Sequence, residues 1–354
     1  MTGGLYSAGA QAADELLRDV YRQDIAKALD PLDARDFLVI VRRIGRALQG
    51  VSRDAEAAAL RRALEELDVD WPGLSPSARN EVLRASRQAL SGAAEQVLPR
   101  VDQVFEVEAK AIVGQSRRSA VRQFGLHIGT DMSRTDERIA TFVRESQGNF
   151  IKGEYGRRSE AFSQRARDVV ASGLERGLGR GDIAEELSKE VGTALGGRSQ
   201  SYWETVSMSF ANRGRTYTQL AAFDEADIQS FRFEAILDQV TSEVCRFMHG
   251  RVFSVERAMK RFRDVERARS PDRIQDIQPW MQVGANEEGD QVLFYEKGGR
   301  RRRVAQVDES MVGESDEVGR YSKELSTEQL EAAGLTVPPL HGRCRSVLAL
   351  ATPE

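Results

Sequence analysis

Residues that usually carry a reaction are scarce in this sequence. Its 354 residues include three histidines and two cysteines. So few cysteines in a chain of this length exclude a disulfide framework and point to synthesis in a reducing compartment. Long apolar runs are also missing. The longest, FLVIV at residues 37–41, is far too short to cross a bilayer, so no membrane segment is expected. The N-terminal stretch MTGGLYSAGAQAADELL has no basic start followed by an apolar block, so no secretion leader is expected. There is no large excess of either charge. A net charge of −4 excludes a globally basic nucleic-acid binder and leaves room for a local basic patch.

What is present is mixed and helix-leaning. Hydrophobic residues are 40% and charged residues 30%, with aromatics at 7%, a balance that fits a globular chain with many solvated faces. The length predicts two domains or three. Residues 12 to about 200 read as successive helices. Ser75-Pro76 supplies an N-cap and a first helical residue, and Leu83, Leu90, Val97 and Val104 then recur at intervals of seven. That stripe reads as the core face of a helix bundle, with a coiled coil to another subunit as the alternative. Gly179-Arg180-Gly181 breaks the pattern, and Asp182 is placed to cap a helix over 183–195. A further helix is predicted at about 201–224. His127 reads as a packed helix histidine.

After Ile228 the pattern changes. SFRFEAILD, with Phe231, Phe233 and Ala235 alternating, predicts a half-buried strand. RVFSV at 251–255 predicts another. QVLFYEKGGRRRRVAQV at 291–307 predicts a hairpin turning at Gly298-Gly299. CRSVLALA closes the chain as a last strand. The fold class expected is therefore α+β, predominantly α. A helical region over 1–150, suited to protein contacts, would precede an α+β module over 151–354, which carries a charged insertion at about 256–332.

Both cysteines and two of the three histidines lie in two short segments, LDQVTSEVCRFMHGRVF at 237–253 and PPLHGRCRSVL at 338–348. Such clustering predicts that the two segments meet. Four kinds of chemistry suit these residue types. A tetrahedral zinc site could use Cys245, His249, His341 and Cys344, since ligands three or four residues apart on a turn can share one ion. A disulfide could join Cys245 to Cys344. A hydrogen-bonded core cluster could have His341 orient a turn while Asp238 and Thr241 satisfy backbone groups. A catalytic trio could use Cys245 as nucleophile, His341 as base and Asp238 as orienting carboxylate, although no Gly-rich elbow accompanies Cys245. The hydrogen-bonded cluster is favoured, which implies no cofactor, with zinc as the alternative.

The order D-x2-T-x3-C-x4-G, then a strand, then P-P-x-H-x2-C-R-S and a short apolar tail resembles the phage Mu F-like head morphogenesis family. The residues that carry the resemblance are Asp238, Thr241, Cys245, Gly250, Pro338, Pro339, His341, Cys344, Arg345 and Ser346. The upstream NRGRTYTQLAAFDEADI and GLERGLGRGDIAEEL are similar to the family's approach to this motif, so the resemblance covers roughly residues 160–350. It implies a non-enzymatic minor head protein of a tailed phage or prophage. Such a protein binds the portal protein and other head proteins during assembly in the host cytoplasm, then lies in the head interior of the virion near the portal vertex. The resemblance also places it beside packaged DNA, in packaging or ejection. Many members carry a cysteine where this chain has Ser242, which leaves the implied zinc set one ligand short.

The insertion between the two segments adds Arg300, Arg301, Arg302 and Arg303 after the Gly-Gly turn. These are expected to make sequence-blind phosphate contacts with DNA, because no aromatic residue interleaves them for stacking. The competing reading is a solvated face balanced by the acidic residues that follow. Two rival functions are an enzyme or toxin-like effector built on the same module and a stand-alone DNA-binding protein. The first is disfavoured because the sequence ends soon after Cys344, at Glu354, and the second by the net charge.

Overall fold

The computed structural model describes residues 29–194, 200–268 and 270–351, with helices predominating over two small sheets. The proposed helix start near residue 12 and the leader question therefore lie outside the described residues. Three long helices come first: α1 (Ala34–Leu67), α2 (Pro76–Phe124) and α3 (Arg134–Glu175). Then come α4 (Arg180–Ala194) and α5 (Gln200–Glu225). The later elements are β1 (Ser230–Glu234), α6 (Glu243–Met248), β2 (Val252–Ser254), α7 (Val255–Glu266) and α8 (Pro271–Ile277). After these follow β3 (Met281–Ala285), β4 (Gln291–Lys297), β5 (Arg300–Glu309), β6 (Arg320–Ser322), α9 (Thr327–Ala333) and β7 (Val347–Leu350). The α+β, predominantly α class expected from the sequence is what the chain adopts. No helix among the described residues is long and apolar enough to cross a membrane.

Side-chain caps set where helices begin. Asp33 accepts the Arg35 and Asp36 N–H groups at 2.9 Å each and starts α1. Ser75 accepts the Ala78 N–H at 3.2 Å, as its position before Pro76 predicts. Ser133 and Asp136 bond reciprocally at the start of α3, and Ser326 and Gln329 form a capping box on α9. The helix expected from residue 183 instead starts at Arg180, so Asp182 lies inside its first turn. There a carboxylate still favours the positive end of the helix. His127 departs from its expectation, because α2 ends at Phe124 and leaves His127 exposed in the following loop.

Two compact units make up the chain. The first comprises Gly45–Phe105 and Gly148–Trp203, and the second comprises Glu106–Gln147 and Glu204–Glu354 with the segment ending at Ile44. A single division near residue 150 does not describe this arrangement. α1, α2 and α3 each contribute residues to both units, and continuous helix leaves no break in the sequence to mark the change. The first unit has a core of Leu67, Trp71, Leu83, Phe162, Ile183 and Leu187. Trp71 is fully buried, and its indole N–H donates to the Leu67 carbonyl at 3.0 Å. The heptad stripe faces inward: Leu83, Val97 and Val104 are buried and Leu90 is partly buried.

The second unit holds both sheets. β1 lies between β2 and β7, antiparallel to each, with Phe233 opposite Leu348. Phe231 and Phe233 are fully buried while their neighbours are half-exposed, which is the period-two pattern predicted. The other sheet is antiparallel in the order β3-β4-β5-β6, and its central hairpin turns at Gly298-Gly299. Both glycines have positive φ, 59° and 70°, as a two-residue turn of this kind requires. The segment expected to be a charged insertion is thus largely folded structure, from α7 to α9.

Candidate functional site: a cysteine and histidine cluster

Two turns of the second unit build the site. The first follows β1. Asp238 accepts hydrogen bonds from the Thr241 hydroxyl at 2.8 Å and the Val240 N–H at 3.2 Å, while the Thr241 oxygen accepts the Asp238 N–H at 2.9 Å. This closed turn delivers Ser242 as the N-cap of α6, where its hydroxyl accepts the Cys245 N–H at 3.3 Å. Just past the C-cap of α6 comes Gly250, whose φ of 79° would strain any side-chain-bearing residue. Its N–H donates to the Phe233 carbonyl at 2.9 Å and turns the chain into β2. The second turn starts at the buried pair Pro338-Pro339, joined by a cis peptide, and runs through His341 to Cys344 and β7.

The two turns meet at five side chains. His341 Nε2 lies 2.9 Å from Ser242 Oγ and 3.1 Å from Cys245 Sγ. Cys245 Sγ is 3.7 Å from Cys344 Sγ, and the Ser346 hydroxyl donates to Cys245 Sγ at 3.2 Å. Both cysteines are buried and free, and the sulfur separation is far beyond the ~2.05 Å of a disulfide. The thiols are not equivalent. The hydrogen bond with Cys344, and burial, raise Cys245 well above the usual thiol range. Burial opposes ionisation of Cys344 too, but hydrogen bonds from Cys245 and His341 draw it well below that range. If one thiol of the pair ionises, it is Cys344.

Cys245, His341 and Cys344 offer ligand atoms within 4.8 Å of one another. A tetrahedral zinc with S ligands at about 2.3 Å sets neighbouring sulfurs about 3.8 Å apart, so the sulfur spacing fits an ion. Two features oppose one. The fourth donor facing the cluster is the hydroxyl of Ser242, a poor ligand. In addition, His341 Nδ1 accepts the Arg343 N–H at 3.3 Å, which places the ring proton on Nε2, the nitrogen a metal would need. His249, included in the expected ligand set, is not in the cluster. As the C-cap of α6 its ring turns back, and Nδ1 accepts the Ala235 N–H at 3.1 Å. Asp238, the carboxylate of the catalytic trio, is not spent on His341. It takes a bidentate pair from Arg345, at 2.6 and 2.8 Å. That guanidinium, with help from Thr241 and despite partial burial, holds the Asp238 carboxyl down at about 2.

Around this cluster stand residues that the sequence pattern did not single out. Arg246 is 1% exposed, and its guanidinium donates to the carbonyls of Thr241, Asp238, Glu314 and Glu317. Glu243, also buried, accepts the Tyr321 hydroxyl at 2.6 Å and the Ser310 hydroxyl at 2.5 Å. α5 presents a buried polar stripe to the end of the chain. Asn212 donates to the Cys344 carbonyl at 2.6 Å, and Arg215 to those of Arg345 and Ser346 at 2.5 and 3.1 Å. Gln219 bonds both the N–H and the carbonyl of Leu348, at 3.3 and 2.9 Å. This amide occupies the outer edge of β7 as a neighbouring strand would. The signal was the spacing of Asn212, Arg215 and Gln219, which puts three polar groups on one helix face.

The four hairpin arginines, Arg300 to Arg303, lie on β5, far along the chain from either turn, and all are exposed. Comparison with family models, with curated proteins and with solved structures finds no match to this chain.

Proposed function

We propose that the protein is a non-enzymatic minor head protein of a tailed phage or prophage, acting in head assembly through contact with the portal protein and other head proteins. In this reading it resides in the virion head near the portal vertex and meets packaged DNA through non-specific phosphate contacts. One observation supports the reading most. The two halves of the motif that resembles the Mu F-like family, separated by residues 251 to 337, close on each other at Cys245, His341 and Cys344. Most motif residues take part: Asp238 with Arg345, Ser346 with Cys245, and Gly250 in the turn that positions them. A motif whose members bond mainly to each other closes a module and leaves its outer surfaces for partners.

The cluster serves as a hydrogen-bonded staple, with no metal required. The residues above would hold a divalent cation only if His341 gave up its bond from Arg343. Metal analysis of the purified chain tests this part, and one bound zinc per chain would replace the hydrogen-bonded reading with the metal one.

The assembly role is tested by co-expressing the full chain with the portal protein of the same phage or prophage. Co-purification at a fixed ratio is expected, and the protein should be found by mass spectrometry in purified heads. Its absence from both would overturn the reading. Deleting the N-terminal helices is not a clean test of the portal surface, because residues 106–147 belong to the same compact unit as the motif.

A further inference from the structure

We infer that a concave cationic pocket beside the hairpin, and not the four-arginine run as a block, binds the phosphodiester backbone of nucleic acid. This deepens the DNA-contact part of the proposed function and rests on that reading for the identity of the polyanion alone. The pocket, about 520 Å³, is lined by Arg261, Arg267 and Arg273 from α7, α8 and the turn between them, by Lys297 at the end of β4, and by Asp264 and Asp276.

Three of the four cations in this pocket are unspent. Arg261 donates to the Glu331 and Ala332 carbonyls at 3.0 Å each, which anchors it near the end of α9. Arg267, Arg273 and Lys297 make no side-chain hydrogen bond or ion pair among the described residues, although two carboxylates share the lining. Elsewhere in the chain arginines take the carboxylates within reach, as Arg138 does with Glu266 and Arg257 with Glu331. Three free cations in one concavity repel one another, and a polyanion relieves that repulsion while releasing its own counter-ions.

Strand geometry divides the hairpin arginines between two faces. Residues opposite each other in an antiparallel ladder point the same way, and neighbours along a strand alternate. Arg300 pairs with Lys297 and Arg302 with Tyr295, so both share the face of the pocket-lining Lys297. Arg301 pairs with Glu296 and Arg303 with Phe294, on the other face. Arg301 is partly committed there, lying 3.5 Å from the Glu296 carboxylate and 4.7 Å above the Phe294 ring. The cationic track is therefore Arg267, Arg273 and Lys297, continued by Arg300 and Arg302 at the ~7 Å repeat of one strand face. Tyr295 shares the face but is 7% exposed, so it offers no ring for base stacking. Recognition through phosphate alone is blind to sequence.

The test uses the full chain and a fluorescein-labelled duplex of mixed sequence, with anisotropy followed as potassium chloride is raised. Each phosphate left without its cation flattens the log-log salt slope by about 0.9. The triple variant Arg267→Gln, Arg273→Gln, Lys297→Gln should flatten it by about 2.7, and Arg301→Gln with Arg303→Gln should leave it nearly unchanged. Lys297→Gln alone, a minimal change for folding, should flatten it by about 0.9. If the second pair flattens the slope and the pocket variants do not, the pocket assignment is wrong while DNA contact stands. If wild-type protein binds no duplex at low salt but binds pyrophosphate, the pocket takes a small phosphate and the nucleic-acid inference fails. Binding of neither overturns the pocket as a phosphate site.

Discussion

Arginines of the second unit live in two contrasting settings. Around the motif they are buried or half-buried and heavily bonded: Arg246 reaches four carbonyls, Arg215 reaches three, and Arg345 holds Asp238 with both arms. Burial pulls Arg215 down to about 9, and its ring contact with Phe37 at 3.4 Å completes the enclosure. Along the hairpin and its pocket, Arg267, Arg273, Arg300 and Arg302 have no such partners among the described residues. The same side chain thus serves as internal scaffolding in one place and as unsatisfied charge in the other. A guanidinium that organises carbonyls cannot be removed without orphaning them, whereas one facing water can be removed cheaply.

The largest effect is expected at Arg246. Arg246→Ala should destabilise the chain by about 3 kcal/mol or more, because several buried carbonyls lose a charged donor at once. Chemical denaturation measures it. A loss no larger than that of a hairpin arginine would show that water replaces the guanidinium and that the heavily bonded setting is not structural.

His341→Ala should cost about 1–3 kcal/mol, since Ser242 and Cys245 lose their common partner and the Arg343 N–H loses its acceptor. The segment from His341 into β7 should also become more open to proteolysis, because His341 ties it to Ser242 and Cys245. A chelator should leave the wild-type melting temperature unchanged. A drop matching that of the variant would make the staple a metal site.

The Arg345–Asp238 pair gives a pH-dependent check of intermediate size. The folded Asp238 carboxyl, at about 2, lies below its unfolded value of about 3.9. Its pairing therefore stabilises fully above about pH 4, and the contribution is lost as pH falls toward 2. Asp238→Asn should lower stability near neutrality and flatten this acid limb of the stability profile. An unchanged limb would assign the acid sensitivity to other carboxylates.

Much of this was readable where one residue period or one turn decides the outcome. Phe231 and Phe233 alternate, Gly298-Gly299 turns a hairpin, and the stripe from Leu83 to Val104 faces the core, all for local reasons. The meeting of the two cysteine segments was readable from rarity, because scarce residue types that cluster in sequence tend to cluster in space. The interleaving of the two units was not, since α1, α2 and α3 carry no break at the points where their residues change unit. His249 looked like a ligand from spacing alone, but a C-cap points its ring back to Ala235. The buried roles of Asn212, Arg215 and Gln219 needed the knowledge that β7 lies against α5, which no local pattern supplies.

The smallest effects are expected at the exposed hairpin arginines. Arg301 is exposed, its Glu296 partner is half-exposed at 51%, and the two are 3.5 Å apart. Holding two long side chains in one geometry costs entropy, and water screens their attraction, so such a pair contributes between zero and about 1 kcal/mol. The Phe294 contact at 4.7 Å adds about as little at an exposed position. Arg301→Ala should therefore shift the denaturation midpoint by less than about 1 kcal/mol equivalent, with the slope of the transition unchanged. Arg302→Ala, which has no partner to lose, should shift it even less or raise it slightly by easing repulsion along the shared face with Arg300 and Lys297. If either change destabilises as much as His341→Ala, the hairpin arginines are scaffolding too. The division between heavily bonded and free guanidinium groups would then collapse.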